Sequence, residues 1–270
     1  MIDYDIHIHT HLSSCGDRKA FISDYARIAE AKGLTLIGFS DHAWDRKIAG
    51  ATPWYSDQDY DRLIQRREDV KALETKNLVV KLGAEGEYAN YLLGLSDYGA
   101  QFVDYIIVPH SHTHMKGFVL PSDCDTPKKH AEYLYKSFIA LCRHEKRSLF
   151  FGIAHPLFPV GQDFDSVNEI LSYIDENTLH ECMSAAKEAG LFFELNLSCF
   201  MHYTDEQIQR SLYTKIIRTA LADGVSLFFG TDSHSCKVFS ASHDAKERII
   251  SEIGVPESAF TAAKLRILNA

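Results

Sequence analysis

The 270-residue sequence predicts an α/β fold, a distorted (β/α)7 barrel related to the TIM barrel. Seven short apolar runs alternate with amphipathic stretches, and His, Asp or Glu stands on each run or at its C-terminal end. Alternating strands and helices are typical of parallel sheets, and barrel enzymes build their sites at the C-terminal ends of the strands. A doubly wound open sheet is the alternative, but ligands from all the strands would converge less readily on a flat sheet.

The first predicted strand carries the most informative residues. Residues 2–9 alternate like a strand, and His7 and His9 stand where a buried strand usually has Val or Ile. An i, i+2 pair projects from one face of a strand, so the two imidazoles can bind one metal ion. The further strands are predicted at residues 36–40, 78–83, 105–109, 149–154, 191–197 and 225–230.

The stretches between these strands have helical spacing. They are residues 21–32, 57–74, 127–146, 168–189, 205–222 and 241–253. Thr126-Pro127 and Asp205 are typical of helix starts, and Gly33, Gly190 and Gly224 fall just past helix ends. Residues 86–102 hold only a short Leu-rich segment, so we expect one irregular crossover there.

Composition favours one domain over residues 1–270, because no Pro/Gly/Ser linker, low-complexity tract or repeat divides the chain. The net charge of -9 and the pI near 5.8 argue against broad nucleic-acid binding. No run of 18 apolar residues and no secretory signal is present, so we expect a cytoplasmic protein with no membrane partner. The six scattered cysteines indicate reduced thiols rather than disulfides.

Ligand-type residues recur after each apolar run. They are Asp41-His42, Glu85 and Glu87, His110, His112 and His114, His155, Glu194 and Asn196, and Asp232 and His234. A lone His-x-His pair is more often structural, but this recurrence favours a shared metal centre. Imidazole and carboxylate ligands suit borderline divalent ions such as zinc, manganese and iron, and a bridging carboxylate offsets the repulsion between neighbouring cations.

Six segments resemble, in order, the motifs of the polymerase and histidinol phosphatase (PHP) superfamily. They are His7-Ile8-His9-Thr10, Ser40-Asp41-His42, Gly83-Ala84-Glu85, the His-rich segment after Asp104, Ala154-His155-Pro156 and Gly230-Thr231-Asp232-Ser233-His234. The resemblance spans residues 5–234. It implies a distorted (β/α)7 barrel with two or three divalent metal ions that hydrolyses phosphoesters.

The resemblance also implies a set of ligands. It makes His7, His9, Glu85 and Asp232 ligands of one metal ion, and Glu85 bridges to a second ion held by His112 and His155. His42 and His234 serve a third ion. Members with three metals often have a histidine at the position of Cys15, which we predict is not a ligand because the other ligands are all nitrogen and oxygen. His11 or Asp17 could bind instead, or the third site could be weak or empty.

Several assignments stay open at this point. Strand alternation lets all three of His110, His112 and His114 face inward or none, whereas the resemblance favours His112, then His114, with His110 as a rim or phosphate contact. We expect Glu87, Glu194 and Asn196 to orient ligands or face substrate, and Asp41 to be structural.

The predicted reaction is hydrolysis of a small phosphomonoester by a metal-activated water, with no serine or cysteine nucleophile. The catalytic candidates are Asp232, His234 and His202, of which either histidine could protonate the leaving alkoxide. Phosphate could contact a basic residue, for which the candidates are Arg18, Lys47, Lys116 and Lys237. The chain length and the run Gly38-Phe39-Ser40-Asp41-His42 resemble the stand-alone histidinol-phosphate phosphatases, which makes L-histidinol phosphate the leading substrate.

The alternatives are a hydrolase of phosphodiesters, nucleotides or phosphotyrosine, an amidohydrolase, and a metal-bound module without activity. Amidohydrolase barrels also start with His-x-His, but they usually need a carboxylated lysine, and no suitable lysine ends a strand here. The sequence predicts nothing about the oligomeric state.

Overall fold

The computed structural model describes residues 2–270 and contains a nearly closed barrel of seven parallel strands. The barrel strands, in spatial and chain order, are β1 (Tyr4–Ile8), β2 (Leu36–Phe39), β4 (Val79–Gly86), β7 (Tyr105–Pro109), β8 (Gly152–Ala154), β9 (Phe192–Asn196) and β10 (Leu227–Gly230). The short strand β3 (His42–Ala43) extends β2 and pairs with β4, which places His42 opposite Glu85. The predicted barrel class and the seven predicted strands are therefore confirmed.

The barrel closes where the first and last strands meet. The His9 N–H donates to the Ser233 carbonyl at 2.9 Å, and the Asp232 N–H donates to the His7 carbonyl at 2.8 Å. Asp5 on β1 also stabilises this closure, because its carboxylate accepts hydrogen bonds from the Thr231 hydroxyl at 2.6 Å and from His243 Nε2 at 3.1 Å. The first and last motifs of the chain consequently lie side by side.

Helices connect the strands and cover the outside of the barrel. They are α1 (Ile22–Ala31), α2 (Tyr60–Lys71), α3 (Asp97–Ala100), α4 (Pro127–Cys142), α5 (Phe164–Leu171), α6 (Glu176–Ala189), α7 (Asp205–Arg210), α8 (Leu212–Ala222), α9 (Cys236–Ile253) and α10 (Thr261–Leu268). The predicted crossover irregularity between residues 86 and 102 is confirmed: a hairpin of β5 (Tyr88–Ala89) and β6 (Leu92–Leu93) lies there, followed by α3. Among the helices of residues 2–270, none is long and apolar enough to span a bilayer.

Two predicted helices are each divided in the structure. The one predicted at 168–189 is α5 followed by α6, because the Asp175 side chain accepts the Thr178 N–H and starts a new helix. The one predicted at 205–222 is α7 followed by α8, because the Ser211 hydroxyl accepts the Tyr213 N–H. The helix predicted to begin at residue 241 begins at Cys236 behind the Ser235 cap, and α10 was not predicted.

Tyr105 forms a packed floor beneath the ligand-bearing end of the barrel. Its hydroxyl donates to the Ile6 carbonyl at 2.7 Å and lies 2.8 Å from Ser40 Oγ. The ring fills the space beside Gly38 and Gly83, where an added Cβ would lie 2.2 Å and 2.3 Å from Tyr105 atoms. Glycine at these two positions therefore lets one aromatic side chain seal the barrel below the polar residues.

Candidate metal centre

His7 and His9 face the barrel interior from β1 and are fully buried. Their Nε2 atoms lie 3.2 Å apart. The other nitrogen of each ring is anchored: His7 Nδ1 donates to Glu194 Oε1 at 2.7 Å, and His9 Nδ1 donates to Ser13 Oγ at 3.2 Å. With the proton of each ring held on Nδ1, both Nε2 lone pairs are available to a shared cation.

Glu85 lies at the centre of the site, and five imidazoles surround its buried carboxylate. The nearest are His42, whose Nδ1 is 2.9 Å from Oε2, and His155, whose Nε2 is 3.1 Å from Oε1. The Nε2 atom of His9 lies 3.5 Å from Oε2, and the Nε2 atoms of His7 and His112 lie 3.6 Å and 3.7 Å from Oε1. A carboxylate that meets histidines through both oxygens has the geometry of a bridging ligand.

Asp232 completes the cluster from the loop after β10. Its Oδ1 lies 3.2 Å from His9 Nε2 and 3.6 Å from His7 Nε2. Both Asp232 and His155 have positive φ, at 53° and 29°, a conformation that L residues rarely adopt and that costs of order 1–3 kcal/mol. Strain of this kind at two candidate ligands is typical of residues whose position serves a site.

Oxygen atoms hold the remaining candidate ligands in orientation. His112 Nδ1 donates to Glu87 Oε2 at 2.7 Å, and His155 Nδ1 donates to Ser111 Oγ at 2.7 Å. Tyr55 donates to Glu87 in turn. Metal-binding histidines are commonly fixed by such contacts. The predicted contacts of Glu87 and Glu194 with histidines are therefore confirmed, and their orienting role in metal binding stays a prediction.

His110 differs from the prediction that it is a rim or phosphate contact. Its Nδ1 bonds to Ser137 Oγ on α4 at 2.9 Å, and its Nε2 accepts the Leu157 N–H at 3.1 Å. The side chains stop alternating between the two faces because strand β7 ends at Pro109. His110 therefore points toward α4, whereas His112 points toward Glu85. Burial lowers the pKa of His110 to about 3. His114 lies beside His112, their ring centroids 5.7 Å apart.

The contacts of Asp41 agree with the structural role that we expect for it, and that role stays a prediction. It accepts the Thr10 N–H at 2.6 Å and the Thr10 hydroxyl at 2.7 Å, and Ser13 also donates to it. It forms an ion pair with Arg66, whose side chain is fully buried. The sequence analysis missed Arg66 and Ser13. The signal was available for Arg66, which follows buried Leu63 by three residues on α2, where an amphipathic helix usually carries an apolar side chain.

The electrostatics of the cluster favour positive charge at its centre. Burial disfavours the His7 cation, but Glu194, Asp232 and Glu85 outweigh burial and raise the pKa of His7 well above its usual range. Burial likewise opposes the charged form of Glu85, yet the surrounding histidines, His42 first, hold its pKa well below the usual range. Burial and the neighbouring His234 and His42 lower the pKa of His9. A divalent cation would supply the positive charge that protons must otherwise provide.

The donor set fits divalent metal ions. Three groups of side chains have ligand atoms within 4.8 Å of one another: His7, His9 and Glu85; His42, Glu85 and His112; and His9, Cys15, His42 and His234. The His7–His9 nitrogen separation of 3.2 Å is close to the roughly 3.4 Å of two nitrogens on one tetrahedral zinc ion. His42 Nδ1 and Glu85 Oε2 are buried without a hydrogen bond of good geometry, although they lie 2.9 Å apart. All eight predicted ligands therefore lie in one cluster, and their binding of metal stays a prediction.

Cys15 lies beside the cluster, at the position where the resemblance places a ligand of the third ion. Its thiol is within hydrogen-bond reach of His234 and His42. Partial burial raises the pKa of the thiol, but these two rings outweigh it and lower the pKa to about 6. The same interaction, against burial, raises the pKa of His234 to about 9. All six cysteines are free thiols, as predicted.

Two cavities open onto the cluster and share Asp232. One, of about 420 Å³, is lined by His155, His202, Tyr203 and Phe164 among others. The second, of about 500 Å³, is lined by Cys15, His42, Trp54, His112 and His234 among others. His202 and His234 thus face different cavities, and their catalytic roles stay predictions.

Neither cavity has a lysine or arginine in the part of its lining that the structure describes. The four candidate phosphate contacts, Arg18, Lys47, Lys116 and Lys237, are absent from both linings. Lys47 lies over the Tyr98 ring instead, 5.2 Å from its centroid, and Lys116 lines a separate cavity beside α4. A phosphate contact by one of these four residues therefore stays a prediction.

Comparison with known proteins supports the fold and yields one sequence relative. No family model matches the chain. A protein named "Probable phosphatase" from Caldanaerobacter subterraneus subsp. tengcongensis is 24% identical over 250 residues, which cover 92% of this chain and 83% of the relative.

Two solved structures share the barrel. The histidinol phosphate phosphatase from Lactococcus lactis subsp. lactis, in complex with zinc, L-histidinol and phosphate, superposes with a TM-score of 0.61 at 16% identity, over 94% of this chain and 95% of that one. A structure from Listeria monocytogenes gives a TM-score of 0.59 at 11% identity, over 87% of this chain and 96% of that one. At these identities the likeness defines the fold of this chain.

Proposed function

We propose that this protein is a PHP-type, metal-dependent phosphatase that hydrolyses small phosphomonoesters. The observation that carries the proposal is the buried Glu85 carboxylate, which five imidazoles surround through both its oxygens. The 24% identical relative named a probable phosphatase supports the same class of reaction. We also propose that the chain forms a single domain and is located in the cytoplasm.

The proposed centre holds two or three divalent ions, with zinc, manganese and iron as the candidates. His7, His9, Glu85 and Asp232 would hold one ion, Glu85, His112 and His155 a second, and His42 and His234 part of a third. When bound, such ions supply an activated water and the positive charge that the phosphoryl oxygens need, which matters here because the cavity linings, as far as the structure describes them, hold no lysine or arginine.

The chain's own residues orient the centre and handle the proton. Glu194, Glu87 and Ser111 hold the proton on the outer nitrogen of His7, His112 and His155, which leaves the inner lone pairs free. His202 and His234 lie on the two cavities beside Asp232. His202 could protonate the leaving alkoxide, and His234 could do so in a two-ion centre, where it binds no metal. No serine or cysteine nucleophile is needed.

L-Histidinol phosphate is the leading substrate of the proposal. The cavity of about 420 Å³ is lined by the aromatic rings of Phe158, Phe164 and Tyr203, and it suits an imidazole-sized leaving group. The fold relative from Lactococcus lactis was solved with L-histidinol and phosphate. The net charge of -9 and the absence of basic residues from the described linings disfavour a nucleic-acid substrate.

A substrate panel tests the proposal. The purified protein is treated with a chelator, reloaded with zinc, manganese or iron, and assayed on L-histidinol phosphate, phosphotyrosine, a nucleotide monophosphate, bis-p-nitrophenyl phosphate and a small amide. We expect phosphomonoesterase activity that the chelator abolishes and metal restores, highest on L-histidinol phosphate. Activity on the diester or the amide alone would contradict the proposal and favour a nuclease-like enzyme or an amidohydrolase.

A further inference from the structure

Cys15 stands in a loop that is fixed at several points rather than free at the surface. The Ser14 N–H donates to Gln58 Oε1 at 3.0 Å, and the Asp17 N–H donates to the His234 carbonyl at 2.8 Å. The turn between them requires Gly16, because an added Cβ would lie 2.0 Å from the Thr10 carbonyl oxygen. The backbone on both sides of Cys15 is therefore held against the metal centre.

The loop brings the Cys15 thiol to three histidines. Its Sγ and one ring nitrogen each of His9, His42 and His234 lie within 4.8 Å of one another. Sulfur and nitrogen ligands on a tetrahedral zinc ion are roughly 3.3–3.8 Å apart, so the group needs to contract by about 1 Å to bind one. Zinc sites with one thiolate and several imidazoles are chemically ordinary.

His42 provides an independent sign of a ligand at this place. The residue is 8% exposed, and its Nδ1 makes no hydrogen bond of good geometry although it faces the Glu85 carboxylate at 2.9 Å. The ring lies against that of His9, with centroids 4.6 Å apart, and the His234 ring stacks on His9 from 4.2 Å. A cation among these imidazoles and the thiol would be bound by their lone pairs, in place of the protons that otherwise join the thiol to His42 and His234.

We propose that Cys15 binds the third metal ion as a thiolate, together with His42 and His234. The inference rests on the proposed metal centre and replaces our expectation from sequence that Cys15 is not a ligand. It divides the centre into two kinds of site. The inner sites offer only nitrogen and oxygen, whereas the outer site offers sulfur and should therefore prefer zinc or cobalt to manganese.

Cobalt substitution tests the proposal without relying on activity. Thiolate bound to Co²⁺ gives an intense sulfur-to-metal charge-transfer band in the near ultraviolet, because only deprotonated sulfur bonds the ion. We expect this band in the full-length protein loaded with Co²⁺, and its loss in Cys15→Ser. Cys236→Ser, which changes a nearby half-buried cysteine, should keep the band.

Ion counting by mass spectrometry provides the second readout. Cys15→Ser should bind one zinc ion fewer per chain than the native protein, and Cys15→His should recover that ion without the charge-transfer band. The native protein should also bind one manganese ion fewer than zinc ions. These variants compare sulfur, oxygen and nitrogen at the same position, so a general loss of structure would not reproduce the pattern.

The outcomes separate this inference from the proposed function. Stoichiometric Co²⁺ binding with no charge-transfer band, or a band that survives in Cys15→Ser, overturns the role of Cys15 and leaves the proposed phosphatase intact. A protein that binds neither cobalt nor zinc overturns both. A band that disappears only in the Cys15 variants supports the thiolate site, whatever substrate the enzyme hydrolyses.

Discussion

His7 and His234 both face the metal centre, but the protein holds them in different ways. The His7 side chain is fully buried, and Glu194 Oε1 fixes its outer nitrogen at 2.7 Å. The His234 side chain is 36% exposed, and its Nδ1 lies 2.8 Å from the carbonyl of Asp232 in its own loop. His112 and His155 resemble His7, since the buried Glu87 and Ser111 orient them.

This contrast defines an inner and an outer part of the centre. The inner part consists of His7, His9, Glu85, His112, His155 and Asp232, and the outer part of Cys15, His42 and His234. Ligands that are held in place before binding lose less conformational entropy when an ion arrives, so the inner part should bind more tightly. The inner ions would then stay bound, while the outer ion could exchange with solvent at the cavity mouth.

The largest effect is expected from comparing His7→Ala with His234→Ala. His7→Ala removes a ligand that no neighbour can replace and should abolish both ion binding and phosphatase activity. His234→Ala should cost only the outer ion and lower activity while the inner ions stay bound. Ion counts by mass spectrometry check both variants, and equal losses in the two would remove the distinction between the parts.

Gly230→Ala should damage the inner part without removing any ligand. An added Cβ would lie 2.1 Å from Glu194 Oε1 and 2.5 Å from His7 Cβ, so the Glu194–His7 pair must shift. We expect about 1–3 kcal/mol of lost stability by chemical denaturation, together with weaker ion binding. Gly86→Ala is the matched control, because its Cβ would meet Leu95 at an ordinary 3.4 Å. If Gly230→Ala kept the stability and the ion binding of the native protein, the inner part would not be tightly packed.

Glu194→Gln tests how much an oxygen that orients a histidine contributes to metal affinity. The substitution keeps the size of the side chain but removes the charge that fixes the proton on His7 Nδ1. Changes of this kind typically weaken metal binding by about 10–100-fold. Competition with a chelator of known affinity measures the effect, and Glu188→Gln on the exposed face of α6 serves as the control. Unchanged affinity would mean that Glu194 serves only the fold.

The smallest effect concerns acid stability and involves His110, which lies beside the inner part. Burial lowers its pKa to about 3, whereas an unfolded histidine titrates near pH 6.5. Between these values the unfolded chain binds a proton that the folded chain does not. Burial of neutral His110 therefore leaves the free energy of unfolding unchanged well above pH 6.5. Below pH 6.5 it lowers the free energy of unfolding increasingly, by about 2 kcal/mol at pH 5.

Denaturant unfolding at pH 7 and pH 5 checks this prediction. In His110→Gln, whose side-chain oxygen can still accept the Leu157 N–H, the difference between the two pH values should be smaller than in the native protein. His180→Asn, which alters an exposed histidine on α6, should leave the difference nearly unchanged. A His110→Gln variant that is as acid-sensitive as the native protein would show that His110 is not held neutral.

The same contrast explains how far the sequence could predict this molecule. The barrel and the placement of His7, His9 and Glu85 at its C-terminal end were predictable because strand alternation and strand ends follow simple periodic rules. The choice of ligands, Asp232 among them, came from the resemblance to a known family and stays a prediction. His110 was misjudged because the periodicity ends with β7 at Pro109. The position of Cys15 beside the site followed from the resemblance, because Cys15 stands where related proteins often have a metal-binding histidine. Its contacts with histidines could not be derived from periodicity, because they depend on a loop held by residues distant in sequence, such as Gln58 and His234.

The most direct test of the central claim is the number of divalent ions per chain, measured by mass spectrometry on the same samples that are assayed for phosphomonoesterase activity. We expect two or three ions per chain in the native protein, and we expect activity to disappear as a chelator removes the ions bound by the inner part. Hydrolysis of phosphomonoesters by the metal-free protein would show that the cluster around Glu85 is not a catalytic metal centre.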